Sequence, residues 1–120
     1  MAAEAVRAFM LSWLLIHNYS PNQANAMIRQ ADIESGLQPC IRSRTGSWLF
    51  AWTGSRRIAL ARYAGTAGCP GLEAQLAFAD YELRSEPAYA GFWRASLEHA
   101  FPTLRRCFRP RPLLSRDSAA

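Results

Sequence analysis

The chain has 120 residues, 50% of them apolar and 12% aromatic, which is enough for one folded domain and excludes an intrinsically disordered segment. Its 14 basic residues are all arginines and outnumber 9 acids, so the net charge of +5 favours anionic partners, unless it reflects a general bias toward arginine. Because the arginines are scattered along the chain instead of lining one helix, we expect no nucleic-acid partner.

Three cysteines, Cys40, Cys69 and Cys107, fit neither a zinc site nor a dense disulfide framework. They leave two possibilities open: one disulfide and a remaining thiol in an oxidising compartment, or three thiols in a reducing one. We expect no metal and no cofactor, and the cysteines alone do not identify the compartment.

The first predicted helix covers about residues 3–17. Its apolar residues recur at helical spacing and form a stripe. Three further apolar residues widen this stripe, so we expect a central, nearly buried helix. The apolar run at residues 8–16 is too short to span a membrane, and we expect no transmembrane segment. We do not interpret the run as a cleaved signal peptide, because cleavage would remove most of the next helix. The residues at helical spacing are Val6, Phe9, Met10, Trp13, Leu14 and His17, and the three that widen the stripe are Leu11, Leu15 and Ile16.

The second predicted helix has clear signals at both ends. Ser20 is a suitable N-cap, Pro21 suits the first helical position, and Gln23 completes a capping box. Gly36 predicts the end of the helix, because glycine most easily adopts the left-handed conformation found just past a helix.

The middle of the chain is predicted to combine a loop with two helices. Residues 37–53 are expected to form a loop with at most a small β-hairpin, in which residues 48–52 are a candidate strand. A third helix starts after Gly54, with Ser55 as its cap, and a fourth covers about residues 72–84.

The C-terminal part is predicted to contain a fifth helix, opened by Pro87, and a short last helix beyond an interruption at Pro102. The Arg-Pro-Arg-Pro segment at residues 109–112 then leads into an irregular tail. We therefore expect one domain over residues 1–112 and a tail over 113–120. The predicted fold class is mainly α, with five to six helices and a small hairpin or irregular lobe beside a cleft. The fifth helix is expected to bury Tyr89, Phe92, Trp93 and Leu97.

Glu34 is the residue that first suggests a function. It follows Met27 by seven residues, which places it at the edge of the apolar stripe near the end of helix two. Partial burial and the negative end of the helix dipole should both raise its pKa, and a protonated glutamic acid can donate a proton to a glycosidic oxygen. The alternative is a structural glutamate paired with an arginine such as Arg56. Asp32, on another side of the helix near Arg29, is expected to be a solvated structural acid.

The aromatic loop after Glu34 is typical of a sugar-binding surface. Trp48 and Trp52 offer flat faces for sugar rings and Ser47 offers a hydroxyl, whereas Phe50 is expected to be a core residue. Trp52 could equally be a core residue that anchors the loop. Five arginines should make the surface beside the site positive and attract an anionic wall polymer, unless they are only solvated loop residues. They are Arg42, Arg44, Arg56, Arg57 and Arg62.

Most glycosidases use two carboxylates, and the second one is missing from this loop region. Residues 35–72 contain neither Asp nor Glu, so Glu73, Asp80 and Glu82 on helix four remain, with Glu82 considered as a base or nucleophile. The sequence favours a single-acid mechanism in which Glu34 protonates the leaving oxygen and then acts as a base. The attacking group would be water or a hydroxyl of the sugar itself.

Four segments in order resemble the lysozyme-like superfamily, specifically the branch of phage tail lysozymes, goose-type lysozymes and lytic transglycosylases. The resemblance covers about residues 5–110. The segments are Tyr19-Ser20-Pro21 with Gln23-Ala24; Ile33-Glu34-Ser35-Gly36-Leu37-Gln38-Pro39, similar to the catalytic Glu-Ser-Gly segment; Leu49-Phe50-Ala51-Trp52-Thr53-Gly54-Ser55-Arg56, similar to the Gly-Leu-Phe-Gln-Trp loop; and Gln75-Leu76-Ala77-Phe78 with Tyr81-Glu82-Leu83. Trp48 and Ala51 depart from the Gly and Gln that the family usually places in its loop.

The resemblance implies a muramidase or lytic transglycosylase that cleaves peptidoglycan between N-acetylmuramic acid and N-acetylglucosamine, with Glu34 as the catalytic acid. Ser47, Trp48, Trp52, Tyr81 and Glu82 are the residues expected to contact substrate. The expected location is the periplasm or cell wall, with a secretion system or phage structure as a possible partner. The alternative is a weakly active or inactive module that binds peptidoglycan or has a structural role in such an assembly.

Overall fold

A computed structural model describes residues 2–95 and 99–108, which are mainly helical, as the sequence predicts. In chain order these residues form α1 (Ala3–Ile16), α2 (Pro21–Ser35), β1 (Arg42–Ser43), β2 (Gly46–Ser47), α3 (Gly54–Ala64), α4 (Leu72–Ser85), a 3₁₀ helix (Pro87–Tyr89), α5 (Ala90–Arg94) and α6 (Ala100–Phe108). The predicted tail and the predicted burial of Leu97 lie outside the described residues.

Helix α1 packs one stripe of side chains against α2 and α4. Val6, Met10, Trp13 and Leu14 are buried, as their spacing predicts. The expectation of a central, nearly buried helix is wrong, because one side of α1 has no cover in the described part of the chain. Four apolar residues on that side are exposed: Phe9, Leu11, Leu15 and Ile16.

Helix α2 begins and ends as its sequence signals predict. The Ser20 hydroxyl accepts the Gln23 backbone N–H at 3.1 Å, and the Gln23 side chain accepts the Ser20 N–H at 2.8 Å. Gly36 follows the helix with φ 63°, in the left-handed region. These caps fix where α2 ends, and therefore where the Glu34 side chain leaves the helix.

The loop after α2 contains a small antiparallel hairpin in which Arg42 pairs with Ser47 and Ser43 with Gly46. The candidate strand at residues 48–52 is wrong: this segment is a turn, closed by two 2.9 Å backbone hydrogen bonds between Ser47 and Trp52. Trp48 and Ala51 have φ values of 72° and 53°, which no extended strand can accommodate.

Two helix boundaries also differ from the prediction. Helix α3 includes Gly54, so its cap position is Thr53 and not Ser55. Pro102 does not interrupt a helix, because it lies in the first turn of α6, where a backbone N–H has no partner within the helix.

The disulfide between Cys40 and Cys69 ties the hairpin loop to the segment before α4. It joins residues 29 apart in sequence, with their Cα atoms separated by 5.3 Å. This pairing matches the first of the two arrangements that the cysteine count left open, in which two of the three cysteines form one disulfide. Cys107 lies half-buried in α6.

None of the helices formed by residues 2–95 and 99–108 is long and apolar enough to cross a bilayer.

Gly46 is the position where the loop most needs glycine. Its φ is 145°, and a Cβ there would lie 2.2 Å from the Ala51 carbonyl oxygen. We predict that Gly46→Ala lowers the free energy of unfolding by about 3 kcal/mol or more, measured by urea denaturation. Gly54→Ala is the matched control, because Gly54 also has positive φ but open space around it, and it should cost only about 1–2 kcal/mol. Equal losses in the two variants would contradict the close packing of the turn.

Candidate active site

Glu34 is the penultimate residue of α2, and its side chain is 26% exposed. The prediction that it lies at the edge of the buried stripe is confirmed, since its neighbours Ala31 and Ser35 are buried and Ile33 is exposed. Burial is the largest influence on the Glu34 carboxyl and raises its pKa above the ordinary value. The carboxyl group is therefore placed to carry a proton at higher pH than a solvated glutamate.

Two side chains contact the Glu34 carboxylate directly. The fully buried Gln30, one turn earlier on α2, donates its Nε2–H to Glu34 Oε1 at 3.1 Å. Arg105 of α6 places Nη1 3.9 Å from the same oxygen and also donates to Gln30 Oε1 at 3.4 Å. Both contacts, and the more distant charge of Arg56, lower the pKa of Glu34, but less than burial raises it.

Helix α6 places Arg105 beside Glu34, because aromatic contacts hold this helix on α2 and on the loop. The Arg29 guanidinium of α2 lies 3.7 Å from the centre of the Phe101 ring, and Phe108 packs against Phe50 with ring centres 6.0 Å apart. Arg29 therefore stacks on α6, and Asp32 is exposed on the same helix as predicted. No local pattern predicts the role of Arg105, because it contacts residues about 70 positions earlier in the chain.

The aromatic side chains of the loop are in the core. Trp48 is 2% exposed and Trp52 is 0% exposed, so neither ring offers a face to a sugar, and the expectation that they stack on substrate is wrong for this conformation. In this turn Trp48 has a positive φ, and Trp52 packs edge-on against Phe78. Phe50 is a core residue, as predicted.

Glu82 is also committed to the structure. Arg56 donates to it from Nε at 2.7 Å and from Nη2 at 2.6 Å, and Trp52 Nε1 donates at 2.9 Å. With both oxygens occupied and only 8% exposure, Glu82 is not available as a substrate contact or as a second catalytic carboxylate. Because Arg56 is held by Glu82, the predicted alternative of a Glu34–arginine ion pair holds with a different partner: the arginine beside Glu34 is Arg105 and not Arg56.

Gln75 is a site-supporting residue whose role the sequence analysis missed. It is 0% exposed, and its Oε1 accepts the Leu49 backbone N–H at 2.9 Å. Its Nε2 donates to the carbonyl oxygens of Pro39 and Pro70, each at 2.9 Å. The available signal in the sequence was the position of Gln75 on the apolar face of the fourth helix. A buried amide needs hydrogen-bond partners for its polar atoms, so this position indicates contacts with other segments.

The remaining predicted contact residues differ in accessibility. Ser47 is 7% exposed and its backbone closes the turn, so its hydroxyl is not on the surface. Tyr81 is 65% exposed and keeps an accessible ring. Arg42, Arg44 and Arg62 are exposed, which leaves positive charge on a loop region that contains no acid.

Two open grooves lie elsewhere on the surface, and Glu34 lines neither of them. One, of about 520 Å³, lies between the ends of α1 and α3 and the start of α4. The other, of about 570 Å³, surrounds the disulfide. Within the part of the chain that the structure describes, no group of three or more His, Cys, Asp or Glu side chains could hold a metal ion.

Comparisons with known proteins add no assignment: no protein-family model, no curated protein and no solved structure matches this chain. The functional argument therefore depends on the residues and their geometry.

The Glu82–Arg56 pair gives a direct test of which acid is structural. We predict that Glu82→Gln lowers the free energy of unfolding by about 3 kcal/mol, because it leaves the largely buried Arg56 guanidinium without its counter-charge. Glu73→Gln, at an exposed position in the first turn of the same helix, should cost less than about 1 kcal/mol. Urea denaturation followed by tryptophan fluorescence measures the free energy of unfolding of both variants. A negligible effect of Glu82→Gln would contradict a structural role for the Glu82–Arg56 pair.

The raised pKa of Glu34 makes a prediction about stability. Its folded pKa lies above the unfolded value of 4.5, so this group favours folding most at low pH and less as pH rises through the folded pKa. Glu34→Gln cannot ionise, so its stability relative to wild type should increase from pH 4.5 toward neutral pH. Unfolding curves of the two proteins at several pH values measure this difference, in which all other titrations cancel. A difference that is flat or falls with pH would contradict the raised pKa.

Proposed function

We propose that this protein is a muramidase or lytic transglycosylase that cleaves the bond between N-acetylmuramic acid and N-acetylglucosamine in peptidoglycan, with Glu34 as the general acid. The observation that carries the proposal is a half-buried carboxyl with a raised pKa at the end of α2. Such a group can be protonated before the reaction and still reach substrate, as protonation of a glycosidic oxygen requires.

The mechanism uses one carboxyl group, because Glu82 is occupied by Arg56 and Trp52. Glu34 gives its proton to the leaving oxygen as the glycosidic bond breaks. The resulting carboxylate then takes a proton from the group that attacks the anomeric carbon. Attack by water restores Glu34 and leaves a reducing end, whereas attack by a hydroxyl of the same sugar leaves an anhydro end.

Charge and covalent structure support an extracytoplasmic wall polymer as the substrate. The exposed arginines of the loop region attract an anionic polymer. The disulfide between Cys40 and Cys69 suits an oxidising compartment such as the periplasm. The proposed context for this activity is a secretion system or phage structure, and the second candidate function has the same context.

The second candidate is a weakly active or inactive module that binds peptidoglycan or supports such an assembly. Its specific support is the loop, where Trp48 and Ala51 stand in place of the Gly and Gln of the family that the sequence resembles. Buried Trp48 and Trp52 give a glycan less loop surface to bind than the sequence predicted.

The two candidates differ in the effect of Glu34→Gln on purified peptidoglycan. We predict that this variant releases soluble fragments at a rate lower by a factor of about 10² or more, because the proton donor is lost. Asp32→Asn is the matched control, since Asp32 lies two residues earlier on the exposed side of the same helix. Fragment release is measured by chromatography and mass spectrometry, which also separates reducing from anhydro ends.

Equal release by wild type and Glu34→Gln would remove Glu34 from the mechanism. Retention of both proteins on insoluble peptidoglycan without any fragment release would support the binding module. Absence of both release and retention would contradict both candidates.

A further inference from the structure

We propose that Arg105 is a displaceable counter-ion of Glu34 that binds a carboxylate of the substrate next to the scissile bond, so that the site selects anionic over neutral glycans. This inference rests on the proposed function, because it names the substrate class of the same site. Nothing in the sequence pattern pointed to Arg105.

The contact between Arg105 and Glu34 is weak enough to be exchanged. One guanidinium nitrogen, Nη1, approaches Glu34 Oε1 at 3.9 Å, and the same nitrogen donates to Gln30 at 3.4 Å. A full pairing of arginine with a carboxylate has two parallel bonds of about 2.7–2.9 Å. The pairing of Arg56 with Glu82 at 2.7 and 2.6 Å shows that arrangement in this protein. Arg105 therefore has donors to spare for a second carboxylate.

Arg105 is also accessible to a ligand. Its side chain is 30% exposed beside the Glu34 side chain, which is 26% exposed, so one bound group can reach both. The hydrogen bond from the buried Gln30 to Glu34 does not involve Arg105, so we expect Glu34 to keep it when Arg105 turns away. The carboxyl is thus positioned by α2 itself and not by its counter-ion.

The charges around Glu34 explain why a cation is needed here. On α2, Gln30 is neutral, while Arg29 stacks on Phe101 and Asp32 lies exposed. On α3, Arg56 is more distant and pairs with Glu82 of α4, so Arg105 of α6 is the nearest cation to Glu34 among the described residues. An anionic substrate would meet the carboxylate of Glu34 at close range, and Arg105 cancels that repulsion.

Binding of a substrate carboxylate would also prepare the acid for catalysis. When Arg105 pairs with the substrate, Glu34 loses its nearest positive charge and gains a nearby negative one. Both changes favour the protonated form, which is the form that donates to the glycosidic oxygen. The anionic substrate would therefore promote protonation of Glu34, the group that donates a proton to it.

The first test measures binding. Calorimetry at pH 7 compares a neutral chitin tetrasaccharide with a peptidoglycan tetrasaccharide that carries lactyl carboxylates. We expect wild type to bind the carboxylate-bearing probe at least about tenfold more tightly, and Arg105→Gln to lose this preference while binding the neutral probe as before. Arg106→Gln, an exposed neighbour on α6 that donates to Thr103, is the matched control and should keep the preference.

The second test uses the pH profile of cleavage, which Arg105 would not shift if it only packed α6 against α2 without acting on the charge of Glu34. Because Arg105 lowers the pKa of Glu34 in the free protein, Arg105→Gln should move the alkaline limb of kcat/KM to higher pH, and Arg106→Gln should not.

An unchanged preference in Arg105→Gln, equal or absent binding of the two probes by wild type, or an unmoved alkaline limb would each overturn the proposal. The binding test does not require cleavage. Its outcome is therefore separate from the Glu34→Gln assay: loss of the charge preference with full activity of Glu34→Gln would refute the general acid and retain the anion-binding arginine.

Discussion

Two buried polar side chains of α4 hold the loop on which the candidate site depends. Gln75 satisfies the backbone of Leu49 and of two proline-containing segments, and Glu82 binds Arg56 and Trp52. Residues 37–53 have only two short strands of regular structure, so their backbone groups need partners from outside the loop. The disulfide adds a covalent tie to the same helix entry. Helix α4 thus fixes the loop, and α2 and α6 fix Glu34.

The proposed ability of the site to donate a proton depends on the intermediate burial of Glu34. Full burial of a carboxyl without partners would be too costly, while full exposure would leave an ordinary solvated acid. Its partly buried position, one hydrogen bond from Gln30 and a long contact to Arg105 lie between these extremes. Arg56 and Glu82 show the opposite arrangement, in which short bonds commit both partners to the fold. Short bonds on both oxygens make Glu82 a structural acid, whereas Glu34 has one hydrogen bond and one long contact.

Local signals in the sequence predicted the parts of this fold that short-range chemistry decides. The cap of α2, its end at Gly36 and the edge position of Glu34 all follow from residues within one or two turns. The turn at residues 48–52 was predicted wrongly because aromatic residues favour strands, whereas its backbone needs positive φ at Trp48 and Ala51. Arg105 and Gln75 were missed because they act through contacts with residues 75 and 26 positions away. Burial of the tryptophans is likewise a tertiary property that an aromatic segment alone does not determine.

The central claim is that the Glu34 carboxyl holds its proton more tightly than a solvated glutamate does. Site-specific ¹³C NMR of the Glu34 side-chain carboxyl, followed across a pH titration of the folded protein, measures this property without any substrate. We predict a titration midpoint above 4.5, the ordinary value for glutamate. A midpoint at or below that value would show that the positive charges outweigh burial, and would contradict a proton-donating role for Glu34.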